Sequence, residues 1–68
     1  MINVKKLRGL MAEKGRTGKY MAAVIKKTPK TFYDKMRKGV FDSDEIIAIV
    51  EDLDIKNPMD IFFTDEVT

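Results

Sequence analysis

An all-α fold, a compact bundle of about five short helices, is what this 68-residue sequence predicts, and three observations carry the prediction. Apolar residues recur at intervals of three and four rather than in alternation, which is the period of a half-buried helix and not of a strand. Asparagine, threonine or aspartate stands ahead of each apolar run and glycine behind several of them, so capping signals divide the chain into short pieces. Cysteine and histidine are both absent, so neither a disulfide framework nor the usual structural zinc site is available. A chain of this length forms one domain, placed at residues 1–63, with the acidic ending 64–68 expected to fray.

The first helix starts at Asn3, carries Val4, Leu7, Leu10 and Met11 on one face, and ends at Gly15 in a left-handed turn. Gly9 lies inside it and marks either a close approach of another helix or a tolerated cost of about 1 kcal/mol. Thr17 caps a second helix of about two turns with Met21, Val24 and Ile25 on its buried stripe and Ala22 small enough for a close neighbour. Thr28 followed by Pro29 begins a third, because the hydroxyl satisfies an orphan amide and proline at the first helical position loses nothing. Phe32 and Met36, four apart, face the core, and Gly39 ends the helix. In the fourth, Asp42 or Ser43 caps, Asp44 and Glu45 complement the helix dipole, and Ile46, Ile49, Val50 and Leu53 are buried. Asn57 and Pro58 repeat the cap-and-proline signal ahead of a short fifth helix carrying Met59, Phe62 and Phe63.

The net charge of +2 conceals a strong asymmetry. Residues 1–40 hold twelve bases and two acids, a net +10, whereas residues 41–68 hold one base and nine acids, a net −8. Such polarity creates a field that attracts and orients a polyanion, with the acidic half expected to face away from it. No apolar run approaches the roughly 18–20 residues of a bilayer crossing, and the amphipathic start MINVKKLRGL lacks the features of a secretory signal, so a cytoplasmic protein is expected.

Catalysis is not expected, since no histidine or cysteine can serve as base or nucleophile. Asp42 and Asp44 occupy the first two acidic positions of a calcium loop, but Ile47 stands where its glycine is required. The four glycines are too dispersed for a phosphate loop. No cofactor and no small-molecule ligand are indicated.

The informative constellation is two short helices joined by a tight connection, the second being the basic TPKTFYDKMRKG. With Phe32 and Met36 inward, Lys30, Tyr33, Asp34 and Arg37 lie on outward or flanking faces, as a helix entering the DNA major groove requires. Lys30 and Thr31 are the first candidates for base edges, lysine toward guanine and threonine toward a thymine methyl, while Asp34 can accept from cytosine and Tyr33 can read a base or contact sugar or phosphate. Asp34 can instead pair with Arg37 or Lys38 at helical spacing. Candidates for phosphate are Thr17, Lys19, Lys26, Lys27, Thr28, Lys35, Arg37 and Lys38.

In that order and spacing, KKLRGLMAEKG, Thr17 through Ala22, TPKTFYDKMRKG, IIAIVEDLDI and NPMDIFF resemble the helix-turn-helix domains of phage repressors and Cro proteins, including lambda-like repressors and the bacterial xenobiotic-response-element family. The resemblance covers about residues 3–63. It implies a double-stranded DNA-binding regulator that recognises a short operator, often as a homodimer, with the dimer surface expected near Val40, Phe41 and the last two helices. Two features, at three positions, depart from the family pattern. Gly18 replaces the glutamine that holds a phosphate, and Lys26 and Lys27 replace the glycine and aliphatic residue of the turn, which predicts an altered or strained connection. A different reading makes the chain a protein-interaction module, an antirepressor or a regulator's partner, that uses the acidic residues Asp42, Asp44, Glu51 and Asp52.

Overall fold

Side-chain caps decide where the helices begin in the computed structural model, which describes residues 2–63. Asn3 accepts from the Lys6 amide at 3.1 Å and opens α1 (Val4–Lys14), which Gly15 ends at φ 71°. Thr17 accepts from the Tyr20 amide at 3.0 Å and opens α2 (Gly18–Val24). Thr28 does the same for Thr31 at 3.2 Å and opens α3 (Pro29–Lys38), which Gly39 ends at φ 72°. Asp42 heads α4 (Ser43–Leu53) with a capping box in which its amide donates to Glu45 Oε1 at 2.8 Å. The last element, α5 (Met59–Phe62), is a single turn. The fold is all-helical, with five helices and no strand among the described residues. The expected fraying of 64–68 lies outside those residues.

The core forms where the apolar faces meet. Leu7 and Met11 of α1, Met21 and Ala22 of α2, Phe32 and Met36 of α3, and Ile49 and Leu53 of α4 are buried, joined by Ile2, Ile25, Phe41, Ile61 and Phe62. Fully burying each of the larger side chains contributes about 1.5–3 kcal/mol, and together they must offset the ordering of the whole chain. The most extensive packing is α2 on α3, with α2 also resting on α4, and α1 on α4 and α5. An amide bond of 2.6 Å from Asn3 to the Ile61 carbonyl closes the two ends of the chain together. Arg16, in the α1–α2 connection, is tied to α4 by Asp52 at 3.1 Å, and the same carboxylate accepts from the Tyr20 hydroxyl at 3.1 Å.

Three details differ from the expectation or decide between its alternatives. Nothing lies within 4 Å of a Cβ placed on Gly9, so that glycine is a tolerated residue on an exposed surface and not a point of close approach. In the fifth helix the buried pair is Ile61 and Phe62, whereas Met59 and Phe63 are exposed. One turn offers only one inward edge, and the Asn3–Ile61 bond turns Ile61 toward α1 and the i, i+4 pair Met59 and Phe63 away from it. In the α2–α3 connection Lys26 adopts φ 61°, the left-handed conformation that glycine would take without strain. The connection keeps its tight geometry, and the lysine bears the cost. No helix of the described residues is long and apolar enough to cross a membrane.

Because a β-carbon in this conformation costs roughly 1–2 kcal/mol and the extra freedom of unfolded glycine offsets about 0.5–1 kcal/mol of it, Lys26→Gly is expected to raise stability by about 0.5–1 kcal/mol. Thermal denaturation checks this. A Tm at or below that of the parent would show that the turn relaxes around lysine without strain.

Candidate nucleic-acid interface

The cap and proline at the start of α3 fix its entry, and the two fully buried residues Phe32 and Met36 fix its rotation. The opposite side then presents Lys30, Tyr33, Asp34 and Arg37 in the i, i+3, i+4, i+7 row of a single helical face. This row brings together three of the four residues expected to meet bases. Lys30 is exposed in the first turn, Tyr33 is half-exposed, and Asp34 accepts from Arg37 Nη2 at 2.9 Å. Thr31 sits to the side, partly buried, with its Oγ accepting from the Thr28 hydroxyl at 3.0 Å. Its hydroxyl serves the cap, which leaves its methyl group for any outward contact.

Tyr33 is held by α2. A Cβ built on Gly18 would overlap the Tyr33 hydroxyl and ring, so the tip of the tyrosine occupies the space that any side chain at position 18 would need. Phe32 braces the same ring edge-on, with centroids 5.7 Å apart. The glycine that departs from the family pattern is therefore the seat of an aromatic residue on α3, a relation that no spacing along the chain reveals.

The eight residues expected near phosphate divide into groups. Thr17 and Thr28 act as caps. Lys19, Lys26 and Lys38 are exposed and form no ion pair among the described residues, as is also true of Lys30. Arg37 is paired with Asp34. Lys27 and Lys35 both turn to Glu45, with Lys35 Nζ 3.1 Å from Oε1 and Lys27 Nζ 3.5 Å from Oε2.

Glu45 keeps its place in the first turn of α4, from which it complements the helix dipole, and the structure adds a second role that the sequence reading does not contain. Glu45 is 4% exposed, inserted between α4, α3 and the α2–α3 connection, and Lys35 also lies 3.8 Å from Asp42. The signal existed in the sequence. Glu45 belongs to the i, i+4 row of Ile49 and Leu53, so it is an acid on the apolar edge of α4 at the capping-box position.

Burial pushes the Glu45 carboxyl up, but the Asp42 amide, Lys35 and Lys27 together outweigh it and hold the group below its ordinary 4.5. The hydrogen bond to Glu45, aided by the charges of Glu45 and Asp42, holds Lys35 above its ordinary 10.5 against partial desolvation. The arrangement ties the basic helix α3 to the start of α4. No cluster among the described residues is suited to hold a metal ion.

Two outcomes follow. Since a new methyl group would overlap the Tyr33 hydroxyl and the ring carbons beside it, Gly18→Ala is expected to cost about 1–3 kcal/mol and to displace the Tyr33 ring resonances in NMR spectra. Unmoved resonances would contradict the seat described above. Since the folded pKa of Glu45 is lowered, its contribution is complete above pH 4.5 and is lost as pH falls through the folded value. Thermal midpoints taken downward from about pH 5 should therefore fall less in Glu45→Gln than in the parent. Parallel profiles would mean that this carboxylate is not held as an anion.

No protein-family model matches this chain, and no curated protein or solved structure is significantly similar to it, so its function is read from this geometry and from the residue pattern.

Proposed function

We propose that this chain is a sequence-specific double-stranded DNA-binding transcriptional regulator of the phage repressor or Cro type, with α2 and α3 as its helix-turn-helix. The observation that supports this most is the outward row of α3, Lys30, Tyr33, Asp34 and Arg37, set opposite a fully buried anchor. A helix of ten residues is about 15 Å long and roughly 10–12 Å across, which suits a major groove about 12 Å wide. Lys30 in the first turn donates to guanine N7 or O6, and the Thr31 methyl meets a thymine methyl. Tyr33, seated on Gly18, directs its hydroxyl to the sugar-phosphate backbone, and the Asp34–Arg37 pair presents an acceptor to cytosine N4. Lys19, Lys26 and Lys38 bind phosphate and supply salt-dependent affinity without sequence preference.

The partner in this reading is a second copy on paired half-sites. Val40, Ile47, Met59 and Phe63 are exposed apolar residues, and a shallow apolar groove runs between Phe41, Ile46, Val50, Pro58 and Phe63. Covering it with the same surface of another chain would give a two-fold dimer, which matches half-sites about one turn of DNA apart. The same groove supports the second reading, an interaction module for a different protein, with exposed Glu51 at the edge of the contact.

Selection from random duplexes at low and moderate salt separates the readings. Enrichment of a short two-fold symmetric motif is the expected outcome; retention that vanishes with salt and leaves no motif would overturn operator recognition. On the selected operator, Lys30→Ala is expected to relax discrimination among sequences by about 1–3 kcal/mol at one position. Lys38→Ala should weaken all sequences alike and reduce the salt slope by about 0.9. Equal behaviour of the two variants in competition binding would refute this division of roles.

A further inference from the structure

We infer that Glu45 acts as an internal substitute for a DNA phosphate, holding Lys27 in the free protein and releasing it to the backbone of bound DNA. This rests on the DNA-binding reading and adds to it a residue that touches no DNA yet sets affinity.

The two lysines on Glu45 are held differently. Lys35 is the inner one, 24% exposed and 3.1 Å from Oε1, the same oxygen that accepts from the Asp42 amide. Lys27 is the outer one, 43% exposed, 3.5 Å from Oε2 and located in the connection one residue ahead of the α3 cap. Oε2 accepts no hydrogen bond. The Lys27 contact is therefore charge attraction without a hydrogen bond, and it can be exchanged while both partners of Oε1 stay in place.

A phosphate diester offers Lys27 the same chemistry, a single negative charge shared by two oxygens. Lysine suits the exchange, because an ammonium on a flexible stem binds as a point charge with no preferred plane. The neighbours favour the move as well. Lys26 and Lys30 lie on either side in sequence, exposed and without acidic partners among the described residues, so a phosphate attracted to them arrives within the reach of Lys27. Before exchange, Glu45 competes with that phosphate; after it, Oε1 keeps Lys35 and the Asp42 amide, while Oε2 gives up its one charged neighbour, a cost that the phosphate contact has to exceed.

The test uses Glu45→Gln, Lys27→Ala and the double variant, with affinities for one operator duplex measured across a salt series. Glutamine keeps an oxygen for the Asp42 amide but removes the charge that competes for Lys27. Glu45→Gln is expected to bind more tightly by up to about fivefold, the equivalent of an exposed ion pair, with the parent's salt slope. Lys27→Ala should lower the slope by about 0.9, one phosphate contact. In the double variant the gain from glutamine should disappear. A Lys27→Ala slope equal to the parent's, or a gain from Glu45→Gln that survives without Lys27, would overturn the inference while leaving DNA binding intact. Absence of salt-dependent binding by the parent would overturn both. Should Glu45→Gln melt below the assay temperature, Lys27→Ala decides alone, since removing a largely exposed side chain leaves the Glu45–Lys35–Asp42 contacts in place.

Discussion

Withdrawing a carboxylate from water costs several kcal/mol unless cations and amides replace its hydration, and at the meeting of α4, α3 and the α2–α3 connection Glu45 meets that requirement with one element from each side. The Asp42 amide comes from the start of α4, Lys35 from the middle of α3, and Lys27 from the connection. Phe32 and Met36 fix which side of α3 faces inward, and the Lys35–Glu45 pair adds a charged tie between α3 and α4 at the edge of that core.

The same contacts change what the charge pattern of the chain means. A net +10 followed by a net −8 suggests two faces of opposite sign. Folding instead brings acids of the second half against bases of the first: Asp52 on Arg16, Glu45 on Lys27 and Lys35, and Asp42 near Lys35. Part of the asymmetry is thus spent on joining α4 to the first three helices. What remains as an unpaired field near α3 comes from Lys19, Lys26, Lys30 and Lys38, four positions that also flank or occupy the outward row. Internal pairing sharpens the positive region by removing cations at its edge.

Helix boundaries were legible in the sequence because a cap is a local event. Asn3, Thr17, Thr28 and Asp42 each act within three residues of themselves, and Gly15 and Gly39 act on the turn they close. The inward faces of α1 to α4 were legible for the same reason, through the helical period. What sequence reading did not supply are relations between residues distant in the chain. Gly18 looked like a lost phosphate contact, and only the approach of α3 makes it the seat of Tyr33. Glu45 looked like a dipole partner, and only the packing of α3 on α4 buries it. In α5 the sequence marks Met59, Phe62 and Phe63, but one turn has too little periodicity to define a face, and folding buries Phe62 together with Ile61.

The pairing also bears on why a second copy belongs to the proposed mechanism. With Lys35 held by Glu45 and Arg37 by Asp34, the unpaired lysines assigned to phosphate in one chain are Lys19, Lys26 and Lys38, to which Lys27 adds one on exchange. At about 0.9 per contact in the salt exponent, three or four contacts give one chain a modest electrostatic affinity, and a second copy on the same duplex would double the number. Under the proposed reading, the apolar groove along α4 and α5 is the surface that would bring that second copy.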